Sequence, residues 1–295
     1  MFRSEVPVIA VRVLGPLEVT VDGVSVGVGG PRQRCVLARL IAAGGQVVSA
    51  GRLIEDIYPG EPPPAARAAV QSHLSRLRRA LEPGRTAWAT GRVIVASPPG
   101  YAVRLADDAV DAWAFEDEVR LASDLADPTA RHATLTGALA RWRGAAFEEF
   151  GALPWADMAA SRLTELRQAA LEAQADAALR LGQPARVVAD LERLTAEQPL
   201  REEGWRLLAL ALYQSGRQAD ALAALRRVRE LLATELGVDP GVPLRDLERD
   251  ILVQAPRLTA TVRGPVVPAQ GRPTTIGATD DNRPLGNQGP RADHG

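Results

Sequence analysis

The sequence predicts a mainly α-helical chain with a small β component, a mixed first part followed by an all-α second part. Three observations predict this. Short Val-rich runs broken by Gly-Pro and Asp-Gly give way near residue 31 to helical periodicity, and β-like pieces return at 92–96 and 101–105. From Val110 onward the texture is Ala, Leu, Arg and Glu, with helical hairpins that repeat at an offset of 34 residues. The charge divides at the same place. Residues 1–105 hold 13 Arg against 7 acids, net +6, and residues 106–258 hold 18 Arg against 26 acids, net −8. A polyanionic partner is therefore expected on the first part.

The elements follow in order. Runs at 8–14, 17–21 and 24–28, separated by Gly15-Pro16 and Asp22-Gly23, read as a small antiparallel sheet, since Asp-Gly between alternating apolar runs is a strong hairpin signal. Gly29-Gly30 stops the strands, and Pro31 suits a first helical position. That helix turns Val36, Leu37, Leu40 and Ile41 to one side and ends at Gly44-Gly45. After a short extended run at 46–48, Ser49 caps a second helix that carries Leu53, Ile54 and Ile57 inward. Glu61-Pro62-Pro63-Pro64 turns into a third helix over 65–81.

This third helix is the most informative stretch of the first part. Val70, Leu74, Leu77 and Leu81 form one side at 3.6-residue spacing. The opposite side carries Ala68, Ser72, Ser75, Arg76 and Arg79. Small residues beside guanidinium groups permit close approach to a partner, and Arg donates two bonds at once to a guanine edge or to phosphate oxygens. Ser97-Pro98-Pro99-Gly100 then turns a closing hairpin, at whose base Tyr101 is expected to pack. A sheet, two helices joined by a tight turn with the later one basic, and a hairpin behind it make a winged helix-turn-helix, residues 1–105.

In the second part, helices are expected at 111–125, 128–143, 154–181, 184–197, 201–214, 218–236 and 242–254. Gly182 matches Gly216, Ala185 matches Ala219, Leu191 matches Leu225 and Leu171 matches Trp205, each 34 residues apart. This is the length and the Gly/Ala pattern of tetratricopeptide repeats, so residues 106–258 read as a tetratricopeptide-like all-α domain. Trp142, Trp155 and Trp205 fall in its core pattern. Residues 259–295 contain five Pro and six Gly without periodicity and read as a disordered tail.

Composition excludes several chemistries. All 35 basic residues are Arg, so no P-loop lysine, kinase strand lysine or Schiff-base lysine exists. Cys35 is alone, which rules out an intrachain disulfide and a thiolate metal cluster, and it lies within an apolar helix pattern. His73, His132 and His294 lie far apart without companion Cys, and no G-x-S-x-G elbow occurs. No enzyme, metal or cofactor is expected. The start has no charged segment followed by a long apolar core, and no run approaches the 18 or so apolar residues of a membrane span. The chain is expected in the cytoplasm, on the nucleoid.

GGPRQRCVLA, SAGRLIEDIYPG, AVQSHLSRLRRALEPG and PPGYAVRL occur in that order, followed by LPWADMAASRLTELRQAALE, by QPLREEGWRLLALALYQSGRQADALAALRRVRELLATELGVDPG and by PLRDLERDIL. These stretches resemble the antibiotic-regulatory-protein (SARP) family of transcription activators over about residues 8–256. The family couples an OmpR/PhoB-type winged helix to a bacterial transcriptional activation domain of tetratricopeptide-like helices. The resemblance implies an activator that binds direct repeats in promoter DNA as paired protomers and engages RNA polymerase and its sigma factor at secondary-metabolite genes. By position it also implies DNA contacts from His73, Ser75, Arg76 and Arg78. Together with the helix face, the candidate DNA-binding residues are Ser72, His73, Ser75, Arg76, Arg78 and Arg79. Arg78 on its flank is open to a role within the domain, as is His73. Ala96-Ser97 stands where many relatives carry Arg before the wing turn, which leaves Arg92 and Arg104 as the wing candidates. Residues 1–105 are expected to fold and bind DNA alone. The rival reading is a protein-interaction scaffold that does not use the winged helix for DNA.

Overall fold

The computed structural model describes residues 7–84 and 91–258. The expected tail, 259–295, lies outside the described residues. β1 (Ile9–Arg12), β2 (Glu18–Val21) and β3 (Val24–Ser25) form an antiparallel sheet in that order, with Val21 paired to Val24 across the turn. Asp22 and Gly23 both adopt positive φ, 51° and 77°, as a two-residue turn of matching twist requires. The side chain of Asp22 also accepts a bond from the Val8 amide at 2.9 Å.

Three helices follow. α1 (Pro31–Ala42) starts with Pro in its first turn and buries Cys35, Val36, Leu37, Ala38, Leu40 and Ile41. Burial in this apolar setting pushes the Cys35 thiol up to about 12, which makes it a core residue with no thiolate character. α2 (Ala50–Ile57) is capped by the Ser49 side chain, which accepts from the Arg52 amide at 3.1 Å. α3 (Ala66–Leu81) buries Ala66, Val70, Leu74, Leu77 and Leu81. β5 (Ile94–Ser97) and β6 (Gly100–Val103) form the closing hairpin, and β6 also pairs with β4 (Val48–Ser49), giving the order β4-β6-β5. Of the extended run expected at 46–48, only Val48 is strand, and with Ser49 it ties the hairpin to the helices.

The second part is helical throughout: α4 (Asp111–Asp124), α5 (Pro128–Leu139), α6 (Pro154–Arg180), α7 (Pro184–Glu197), α8 (Glu202–Gln214), α9 (Gln218–Leu236) and α10 (Val242–Leu252). The repeat is visible in backbone detail. Gly182 and Gly216 take left-handed φ of 69° and 79°, and the amides of Gln183 and Arg217 reach back to the carbonyls of Ala178 and Leu212, so equivalent residues close equivalent helices. Trp155 and Trp205 are buried, and Trp142 packs edge-on to Phe115 at 5.4 Å.

One expected helix is shorter than its periodicity predicts. The pattern over 128–143 runs on, but α5 ends at Leu139. The backbone beyond it is taken by the segment that follows β1: the amides of Arg143 and Phe147 donate to the Leu14 and Val13 carbonyls, both at 2.8 Å. Tertiary pairing overrides local propensity here.

These bonds belong to a wide seam between the two parts. The buried carboxylate of Asp111 accepts from the amides of Val13 at 2.8 Å and Leu14 at 3.1 Å. Glu149 accepts from the Leu17 amide at 2.8 Å and pairs with Arg34 of α1, which holds its carboxyl below the usual range. The Trp113 indole donates to the Ile41 carbonyl at 3.2 Å. One apolar cluster runs from Ile9 through Phe115, Leu135, Trp155 and Leu163 to Ala170, and a second runs from Ala175 to Leu258. The change of texture at residue 105 is therefore not a break in packing. The two cores meet part-way along α6, whose 27 residues serve both.

Candidate nucleic-acid interface

α3 is held by α1 and α2 on one side and by the β5–β6 hairpin on the other, and its outer face is left to solvent. Arg67, Ala68, Gln71, Ser72, Ser75, Arg76 and Arg79 are exposed. Electrostatics marks this face out from the rest of the first part. Arg12 pairs with Glu18, Arg34 with Glu149, and Arg39 and Arg52 with Asp56. Arg67, Arg76 and Arg79 have no carboxylate partner among the described residues, and neither do Arg32 at the start of α1, Arg92 or Arg104. The Arg32 guanidinium lies over the Tyr58 ring, 4.8 Å from its centre. Three of these six arginines lie on the open face of α3, where their positive charge is available to an external anion.

The expected residues divide into two groups. Ser72, Ser75, Arg76 and Arg79 share the open face, as the helical wheel predicts. His73 sits half-buried at its edge, its Nδ1 buried without a hydrogen-bond partner. Burial, then the charges of Arg76 and Arg32, push its pKa below the ordinary histidine value, so it is neutral in the free protein near neutral pH. Arg78 turns away: its Nε donates to the Ile94 carbonyl of β5 at 2.8 Å, and its guanidinium lies 5.8 Å from the Tyr101 ring centre. Arg78 and Tyr101 together brace the hairpin against α3. Arg92 is exposed just before β5, where its amide and that of Val93 donate to Glu82. Arg104 donates to the Gly45 carbonyl beyond the far end of α1, so the structure does not bring it to the α3 face.

The turn Pro98-Pro99 projects from the hairpin, and Gly100 sets its position. A Cβ at Gly100 would lie 1.8 Å from the Val48 carbonyl oxygen, so only glycine permits β4 and β6 to approach this closely.

Sequence reasoning missed Arg32, Arg67 and Gln71. The last two lie on the same arc of the α3 wheel as Ala68 and Ser75, so the periodicity held the signal. Arg32 approaches α3 only through the packing of α1, which no local pattern encodes. Among the described residues no group of three or more His, Cys, Asp or Glu side chains is placed to hold a metal ion, and no helix is long and apolar enough to cross a membrane.

Comparison with known proteins agrees with this arrangement. Residues 28–102 match the family described as transcriptional regulatory protein, C terminal, and residues 110–252 match the bacterial transcriptional activator domain. The chain is 38% identical over 248 residues to the transcriptional regulatory protein EmbR of Mycobacterium tuberculosis, covering 82% of this chain and 63% of EmbR. It is 33% identical over 266 residues to the transcriptional regulator RedD of Streptomyces coelicolor, covering 88% of this chain and 76% of RedD. It is 40% identical to the regulatory protein AfsR of the same organism, of which it spans 26%. A solved structure of M. tuberculosis EmbR in complex with a low-affinity phosphopeptide superposes with a TM-score of 0.78 at 36% identity, covering 87% of this chain and 69% of that one. All three relatives are named as regulatory proteins, EmbR and RedD as transcriptional ones.

Proposed function

Because this chain belongs to the SARP family of transcriptional regulators, we propose that it is a sequence-specific activator whose α3 enters the major groove of promoter direct repeats, two protomers side by side. The observation that carries the reading is the open face of α3, where Arg67, Arg76 and Arg79 lie without carboxylate partners among small and polar side chains. Ala68, Ser72 and Ser75 let the helix axis come close to the base edges, and the arginines then meet guanine or phosphate. The hairpin, braced by Arg78, lies along the neighbouring backbone with Arg92 near its base.

The division of labour assigns DNA to residues 1–105 and contact with RNA polymerase and its sigma factor to the acidic helices of 106–258. The protein acts in the cytoplasm, on the nucleoid. The likeness to RedD and AfsR supports a secondary-metabolite gene cluster as its target.

The test is salt-dependent binding to fragments of the promoters beside its own gene, followed by footprinting. The logarithm of the binding constant should fall linearly with that of salt, by about 0.9 per phosphate neutralised. Protection of two repeats on one face of the duplex is expected. A flat salt response with no footprint overturns the reading.

A further inference from the structure

A groove opens at the seam, on the α1 side of the first part. α1 supplies Pro31, Arg32 and Cys35, the end of α2 supplies Ile57, and the turn that leads into α6 supplies Phe150 and Leu153. Its volume is about 260 Å³. Pockets for drug-sized molecules hold about 300–1,000 Å³, so this one suits a smaller ligand.

The floor and the walls differ in chemistry. Cys35, Ile57 and Phe150 are buried, with Leu153 half-buried beside them, and they make the floor apolar. Cys35 adds no charge, because its thiol stays protonated. The two sides of the groove are tied by Arg34 of α1 and Glu149 of the turn. Arg34 Nε donates to Glu149 at 2.7 Å, and the pair is held in turn by the Leu17 backbone, at 2.7 Å from the arginine and 2.8 Å from the carboxylate. Their charges cancel. Among the described residues that line the groove, Arg32 alone carries a charge without a carboxylate partner. Its guanidinium lies 4.8 Å from the Tyr58 ring centre, and the first turn of α1 holds no acid.

We propose that this groove binds a small apolar acid, whose carboxylate pairs with Arg32 and whose hydrocarbon body lies on Cys35, Ile57, Phe150 and Leu153. The lining selects that chemistry. An apolar body gains by leaving water for the floor. An uncharged molecule leaves the guanidinium unused, and a small hydrophilic anion leaves the floor wet. Arg32 meets a carboxylate with two parallel N–H donors. The ligand touches α1 and α2 on one side and the entry to α6 on the other, so it adds to the bonds that join the two parts. Binding to the folded chain alone raises its stability by mass action. The site does not rest on the DNA-binding reading, and its test contains no DNA.

The experiment is a calorimetric titration of the full chain with 1-naphthoate, a fused-ring carboxylate, and with 1-naphthamide, its uncharged counterpart. Naphthoate should bind at a single site, several-fold more tightly than the amide. Added salt should shrink that preference, because the ion pair lies at an exposed rim. R32A should lose the preference and bind both compounds alike, whereas R32K should keep part of it. L153W, which places an indole in the groove, should bind neither. Naphthoate should raise the melting temperature of wild type and leave that of L153W unchanged. Circular dichroism and a melting curve check the fold of each variant. Arg32 is exposed, so R32A remains a valid test whatever L153W does to folding. The site is overturned if wild type shows no saturable binding of naphthoate, if it binds the amide equally well, or if R32A keeps the full preference.

Discussion

Three arginines within four residues of α3 have different tasks. Arg76 and Arg79 stand free on the open face, whereas Arg78 is spent on the Ile94 carbonyl and the Tyr101 ring. Substitution should separate them. Arg76→Ala and Arg79→Ala each lower DNA affinity by about 1–3 kcal/mol while the melting temperature stays near wild type. A base reader loses preference at one position of the operator, and a phosphate contact weakens binding on every sequence. Arg78→Ala should instead lower thermal stability, because a buried carbonyl loses its donor and the ring its cation. Equal losses of affinity and stability at all three positions would show that the face is not divided in this way. Periodicity made Ser72, Ser75, Arg76 and Arg79 legible, since one helix face is a local property of the chain. The inward turn of Arg78 was not legible, because its acceptor lies sixteen residues away on a strand.

At the scale of the element, the hairpin depends on one close approach. β4 is only two residues long, yet Val48 and Ser49 pair with Tyr101 and Gly100 and so fix where the wing stands relative to α3. Gly100→Ala places a methyl against the Val48 carbonyl oxygen, and the strands must part. We expect a loss of about 1–3 kcal/mol in urea unfolding, the scale of overpacking a tight contact. DNA binding should weaken with it. A variant with wild-type stability would mean that the β4 pairing carries no weight. The Pro-Pro-Gly turn itself was readable from composition. The strand that Gly100 must meet was not, because two extended residues carry too little pattern to reveal a partner.

For the whole molecule, the seam decides what counts as a unit. The expectation that residues 1–105 fold alone came from charge and composition, which do change there. The apolar cluster does not stop there: it continues through Phe115, Leu135 and Trp155 to Ala170. A fragment ending at Leu105 would expose that cluster and leave the amides of Val13, Leu14 and Leu17 without Asp111 and Glu149. It should show no cooperative thermal transition, whereas residues 1–258 should melt much as the full chain does. Asp111→Ala in the full chain should cost about 2–3 kcal/mol, because two buried amides lose a charged acceptor. A fragment 1–105 that melts cooperatively would show the seam to be dispensable.

The sequence by itself determined the helices, the 34-residue repeat, the basic face of α3 and the family. Each is written in periodicity, in turn residues or in motifs read along a continuous stretch. Only the tertiary structure decided that Arg78 turns inward to β5, that α5 stops at Leu139 and that one core spans both parts. Those outcomes rest on contacts between residues far apart in the chain, and their energy appears only when the elements meet.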